Sequence, residues 1–583
     1  MRQTFASKPF WRLSWVVAVV AILLLLSACG EAAPAQTQPN VYFPSQPSLS
    51  GLPAAALQGT LQGLMPLDSQ LHLTIGLTMN RQALAEAAQR IYDPSSSDYG
   101  HFLSAQQIAQ QFGASSQAVQ KVTQWLTSNG IKILSTSALG TSISAQATVV
   151  QVAQAFQTVI QIRSLNGHTF FGPNQAPVLP KDIAPLVSSI IGLDDFAQIS
   201  HTPSSQAGLL RQIQQGAGLP QAGDCTLYPL SGLSRDDLAR SYAIDQLQKK
   251  GFKGQGMKIA VIELQEPYSR NDIANYSACN GVNLHLRNVQ VDGPLAAGSG
   301  EGEAALDLEL IAGLAPEAEI YDYQAPTLDT VGLIDTLNQV AADDIVRVLS
   351  ISYGGGELGL DPAFMSQFDD TLELMAVEGI SVFTSSGDCA AFVDGQFGQL
   401  DVNFPASAPW AIAVGGTDIQ GNSEIAWSDP NPDRGQCQNQ WGTGGGVSQN
   451  TNFPRPTWQM GTGVQNDHSN GKRQVPDISA AATNIAVYFQ GQWVTFGGTS
   501  ASAPIWAAGT ILVDQVLQKQ GKTLFGGVPT VYQLANHPGK FHPFKDVTKG
   551  NNLFYQATAG WDYPTGWGVP SFIEVARALG ASL

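Results

Sequence analysis

The chain has 583 residues, 43% of them hydrophobic, and 59 glycines. It is too long for one ordinary core and too apolar for a disordered chain, so two or more globular domains are expected. The 46 acidic and 29 basic side chains leave a net charge of -17. That balance excludes a nucleic-acid partner, which needs clustered Lys and Arg, and suits work at low pH, where protonated carboxylates relax self-repulsion.

In chain order, Arg2, Lys8 and Arg12 precede an apolar run from Val16 to Leu26, which ends in Leu26-Ser27-Ala28-Cys29. The run is short for a membrane span, so residues 1–29 read as a secretory signal. Its end resembles a bacterial lipobox, with cleavage before Cys29 and lipid on the Cys29 thiol. An exported, lipid-anchored protein is expected, with residues 30–46, rich in Ala, Pro and Gln, as the tether.

Residues 47–198 form a first unit with an α+β rhythm. Leu71, Leu73, Ile75, Leu77 and Met79 alternate with His72, Thr74, Gly76 and Thr78, predicting a half-buried strand. Helices are predicted over Arg81–Tyr92, Ser104–Phe112, Ser115–Asn129 and Val149–Phe156, and strands over Ile131–Leu134 and Ile143–Ala147. One small antiparallel sheet with helices on one face accommodates them, a ferredoxin-like arrangement. Residues 199–232 hold scattered Gly, Pro, Gln and Ser without periodicity and read as an exposed linker open to proteolytic processing. In residues 233–583, near-continuous apolar runs alternate with helix-length segments. The runs are Met257–Glu263, Ile320–Gln324, Val346–Tyr353, Ile380–Ser385 and Ala411–Gly415; the helices are Glu303–Leu314, Thr330–Ala342 and Pro362–Glu378. That is the pattern of an α/β unit whose parallel sheet is covered on both faces, with functional residues beyond the carboxyl ends of the strands. Apart from Cys29 there are four cysteines, Cys225, Cys279, Cys389 and Cys437, which allow three pairings. Sequence proximity favours Cys225–Cys279 with Cys389–Cys437 and leaves the other two open.

Gly497-Gly498-Thr499-Ser500-Ala501-Ser502-Ala503-Pro504 places a serine hydroxyl at the start of an apolar helical run, Ala501 to Gln518. Free N–H groups and the helix dipole there favour developing negative charge. A nucleophilic serine needs a base. The second unit's histidines, His285, His468, His537 and His542, stand in no suitable context, so carboxylates are the candidates. Glu303 and Asp307 share a helix face at i,i+4, and their repulsion would raise at least one pKa. Asp388, just past an apolar strand in Ser386-Gly387-Asp388, could donate to an oxyanion when protonated. Glu263 ends a neighbouring strand. Trp441-Gly442-Thr443-Gly444-Gly445-Gly446-Val447-Ser448 reads as a stretch along the substrate cleft with backbone available to a peptide.

With Pro405-Ala406-Ser407-Ala408-Pro409, Val414-Gly415-Gly416-Thr417, Asp546-Val547-Thr548-x-Gly550-Asn551 and Gly560-Trp561-Asp562, these motifs resemble those of the sedolisins, the serine-carboxyl peptidases of the kumamolisin type. The resemblance covers nearly all of the chain after the tether. It implies a subtilisin-like fold behind an activation domain that blocks the cleft until the linker is cut. It makes Ser500 the nucleophile, Glu303 its general base, Asp307 the partner carboxylate and Asp388 the oxyanion donor. Leu360 stands where a tryptophan is expected after Gly354-Gly355, which argues against an extension of the network through Glu263. Asp546 and Asp562 flank a Gly- and Asn-rich loop whose oxygens suit Ca2+. The resemblance implies one ion held by the Asp546 and Asp562 side chains and the main-chain oxygens of Val547, Thr558 and Gly560. The expectation is a monomeric, exported acid endopeptidase acting on proteins or peptides. A tripeptidyl-peptidase of the same family, a solute-binding lipoprotein and an inactive adhesive version of the fold are the rivals.

Overall fold

Alternation of side chains along the central strands decides which of the three largest cores each side chain serves. In this computed structural model, residues 51–197, 199–201, 225, 232–265, 267–295, 302–392, 399–421, 423–429, 437 and 441–583 are described. The expected signal, Cys29 and the tether (residues 1–46) lie outside the described residues, as does nearly all of the linker.

In the first unit, Leu71, Leu73, Ile75 and Leu77 of the strand Gln70–Leu77 point into a core shared with Val122, Leu126, Val152 and Phe156. That strand is central in a four-stranded antiparallel sheet, ordered Lys132–Thr136, Ser142–Thr148, Gln70–Leu77, Val187–Ile191. The predicted helices are present as Arg81–Tyr92, Ala105–Gln111, Ser116–Ser128 and Val149–Phe156. Capping boxes at Ser104/Gln107 and Thr148/Gln151 start two of them. A second antiparallel sheet of Thr60–Leu64, Ile160–Leu165 and His168–Pro173 departs from the single sheet expected. Its hairpin turns at Asn166-Gly167, both at positive φ (52° and 86°), the two-residue turn that matches strand twist.

The second unit is built on parallel strands in the order His285–Gln290, Glu319–Ala325, Lys258–Leu264, Val348–Ile351, Ser381–Ser385, Ile412–Gln420, with Ser423–Ala426 antiparallel at one edge. Ile478–Ala481 also pairs in parallel with Ile412–Gln420. Ile259 and Val261 join the core under the helices Gly302–Leu314 and Thr499–Lys519, whereas Ala260 and Ile262 join the core under Thr330–Asp343 and Pro362–Glu378. Helices therefore cover both faces, as a parallel sheet requires. The disulfides are Cys225–Cys279 and Cys389–Cys437. Among the described residues no helix is long and apolar enough to cross a membrane.

Candidate active site

Ser500 is the second residue of the helix Thr499–Lys519 and is fully buried. Its Oγ has no hydrogen-bond partner among the described residues. Gly498 introduces the helix at φ 121°, in backbone space that side chains rarely enter, and a Cβ there would sit 2.4 Å from Asp388 Oδ2. The glycine thus brings the Asp388 carboxyl against the turn that presents Ser500. Asp388 Oδ1 accepts from the Thr499 N–H and hydroxyl, both at 2.7 Å, and the same hydroxyl accepts from Gly387 N at 3.0 Å. Gly498→Ala should therefore misplace Asp388. The expected result is roughly a 100-fold loss of turnover, the scale of one lost oxyanion donor, with folding weakened by about 1–3 kcal/mol. Steady-state kinetics and a thermal melt on the processed variant check both.

Every residue of the helix Gly302–Leu314 is buried, Glu303 and Asp307 included. It packs directly against the serine helix. Ser352, just past the strand Val348–Ile351, donates to Asp307 at 2.8 Å (Oδ2) and lies 3.4 Å from the Ser500 carbonyl oxygen, joining carboxylate to serine turn. Burial pushes the Asp307 carboxyl up to about 8, with the nearby Asp322 charge adding to it and the Ser352 hydroxyl opposing. For Asp307 the named causes are burial and the charge of Asp322, a residue without a motif in the sequence. Asp322 is itself pushed by burial to about 7, against a 2.6 Å bond from the Gln324 amide.

Glu263 corrects one expectation. It is fully buried at the end of Lys258–Leu264, and its Oε2 accepts from the Tyr353 hydroxyl at 2.7 Å. Burial first, then the charges of Asp307 and Asp322, hold it well above the ordinary carboxyl range. Glu263 therefore belongs to the carboxylate cluster. The aromatic partner comes from Tyr353, directly after Ser352, whereas Leu360 is buried in apolar packing with Phe364 and Phe368. Tyr353 escaped the sequence reading because a strand-end tyrosine looks like core packing. Its one signal was a hydroxyl-bearing ring at the carboxyl end of a parallel strand.

Much of the backbone of the glycine-rich stretch Trp441–Ser448, expected to be available to a peptide, is paired within the chain. Gly442 N donates to Asp388 O, Thr443 N to Trp427 O, Gly444 N to Gly387 O and Ser448 N to Arg473 O. Gly446–Val447 pairs with Gln474–Val475. Close packing explains the glycines: a Cβ on Gly444 would lie 1.9 Å from Ser386 O, and one on Gly445 1.8 Å from Tyr563 O. The edge that does carry a strand-like segment is Tyr353–Gly356. There Ser200–His201, entering the linker, pairs antiparallel opposite Gly354 and Tyr353. The beginning of the linker therefore lies on the backbone that leaves the Ser352–Asp307 junction.

In the C-terminal loop, Gly560 N donates to Asp546 Oδ2 at 2.8 Å and Thr558 N to Asp562 Oδ2 at 2.6 Å. Thr565 donates to Asp562 Oδ1 through N–H and hydroxyl, both at 2.9 Å. Two carboxylates thus converge on one short loop, while the carbonyls of Thr558 and Gly560 accept no bond among the described residues. An all-oxygen set of this kind fits a hard cation such as Ca2+.

Two comparisons bear on the arrangement. Residues 58–196 match the family described as "Pro-kumamolisin, activation domain", and residues 291–532 match "Subtilase family". The chain is 34% identical to Kumamolisin from Bacillus sp. (strain MN-32) over 429 residues, covering 69% of this chain and 72% of that one. It is 27% identical to Sedolisin from Pseudomonas sp. (strain 101) over 587 residues, 94% of each. Tripeptidyl-peptidase 1 from Dictyostelium discoideum is 24% identical over 564 residues, covering 88% and 89%.

Proposed function

Since the chain belongs to the sedolisin family of serine-type peptidases and carries its activation domain, we propose that it is an exported, acid-active endopeptidase made as a self-processing zymogen. The observation that carries the reading is that buried Asp388, through Thr499, and buried Asp307, through Ser352, both meet the helix start that holds buried Ser500, with buried Glu303 about one turn before Asp307 on its helix. Ser500 Oγ attacks the scissile carbonyl and gives its proton to Glu303, which passes it to the leaving amine; water then resolves the acyl-enzyme by the same route in reverse. Asp307, fixed by Ser352, orients the base and shares its charge with the Glu263–Asp322–Tyr353 group. Protonated Asp388, held against Gly498 by Thr499, donates to the tetrahedral oxyanion. A base of this kind is served best in acid, where the surrounding carboxyls are neutral.

In the zymogen the linker approaches along Tyr353–Gly356 as a substrate would, since added strands bind through main-chain hydrogen bonds. Cleavage in the linker after His201 is the expected result. The test of endopeptidase action is the product ladder from a denatured protein at pH 4. Broad internal fragments support it, whereas tripeptides released one after another would establish the exopeptidase reading, which the Tripeptidyl-peptidase 1 relatives favour.

Asp546 and Asp562, with the main-chain oxygens of Val547, Thr558 and Gly560, would hold one Ca2+, whose chemistry there is to neutralise the paired carboxylates and brace the loop. A ligand at 100 times its Kd stabilises by about 2.7 kcal/mol. Chelation is expected to lower the melting temperature by several degrees, and Asp562→Asn to abolish that response.

A further inference from the structure

The alternation that buries Leu73 and Ile75 turns His72 and Thr74 the other way, onto the second unit. Thr74 Oγ1 donates to Asp335 Oδ1 at 2.6 Å, on the helix Thr330–Asp343. His72 Nε2 lies 3.7 Å from Asp335 Oδ2 and 3.9 Å from Asp292 Oδ1. One ligand atom from each of the three residues lies within 4.8 Å of the others. Asp335 is 7% exposed, and besides Thr74 its carboxyl meets the Asp292 carboxyl and the Ser144 hydroxyl. The Asp292 side chain is 8% exposed and that of His72 26%. We propose that His72, Asp292 and Asp335 bind one divalent transition-metal ion of the zinc class, which staples the activation domain to the peptidase unit.

The donor chemistry selects the ion. One imidazole nitrogen with two carboxylate oxygens is a set used by Zn2+, Co2+ and Mn2+, whereas Ca2+ prefers oxygen alone. The site is therefore chemically distinct from the Asp546/Asp562 loop. Ligands about 2.0–2.2 Å from a tetrahedral ion stand roughly 3.3–3.6 Å apart, so the His72 nitrogen and the carboxylate oxygens need to close by only a few tenths of an ångström. Ser144 Oγ, 2.7 Å from the same imidazole nitrogen, would release it and supply a fourth oxygen. Two carboxylates facing each other across the seam repel, and a divalent cation cancels that charge. The ligands come from both sides of the seam: His72 from the first unit, Asp292 and Asp335 from the second.

The test uses the full-length Ser500→Ala chain, stripped with chelator and titrated with Co2+ in excess Ca2+; neither step depends on peptidase activity. One equivalent of Co2+ with visible ligand-field absorption, and a higher melting temperature, is the expected result. His72→Gln, Asp335→Asn and Asp292→Asn should each weaken that binding about 10-fold or more, while Asp546→Asn leaves it unchanged. Circular dichroism identifies any variant that has not folded, and three ligands give three chances to read the effect. Absence of ligand-field bands, or equal affinity in folded His72→Gln, would overturn the site.

Discussion

Ser500→Ala in the full-length chain is expected to leave the linker uncut on acidification and to lower peptide hydrolysis by about 10⁴-fold or more. The size follows from the site's construction. Ser500 Oγ has no hydrogen-bond partner among the described residues, and its helix start is locked to Asp388 through Thr499. Nothing near it can take over: Ser502, two residues on, donates to the carbonyls of Ala480 and Ala481 and faces the sheet. Gel analysis after a shift to pH 4 reads the processing, and a quenched peptide reads the turnover. Normal maturation of purified Ser500→Ala would mean that another protease does the cutting.

Stability is expected to be highest in acid and to fall steeply between about pH 4 and pH 8. The sign comes from carboxyls that burial raises. Asp307 and Asp369 are pushed to about 8, Asp322 and Asp514 to about 7, and Asp370 to about 6 despite its ion pair with Arg81. Each binds its proton more tightly folded than unfolded. Its contribution is therefore fully present below the unfolded value near 4 and is lost as pH rises through the folded one. A carboxyl moved from its ordinary value to about 7 couples folding to pH by roughly 4 kcal/mol. Carboxylates shifted the other way, Asp93, Asp182, Asp237 and Glu319, lie at or close to the surface and cannot offset this. Urea unfolding at pH 4 and pH 8 measures it. Equal stabilities, or greater stability at pH 8, would contradict the buried-acid account.

How much of this was legible depended on whether a residue's role is local. The serine turn and the i,i+4 acids are local patterns, and the helices Gly302–Leu314 and Thr499–Lys519 start within two residues of expectation. Asp322 and Tyr353 act only through partners that the sheet brings in from other strands, and no periodicity marks them. Their neighbourhood also reverses the reading of Glu263. The glycines of Trp441–Ser448 were visible, but what they permit is close packing against Ser386 and Tyr563. Only the pairing register could show that Tyr353–Gly356, and not that stretch, carries the linker. His72 shows the same limit, since an alternating strand says which residues face away from a core and not what they meet.

The central claim is that carboxylates, not a histidine, serve the serine. The pH dependence of kcat/KM for processed wild type and Glu303→Gln, matured in trans, tests it most directly. The account predicts an acid maximum, rising as Glu303 ionises and falling as Asp388 loses its proton. It also predicts a loss of about 10³-fold in Glu303→Gln across the range. A maximum above pH 8, or undiminished turnover in Glu303→Gln, would contradict it.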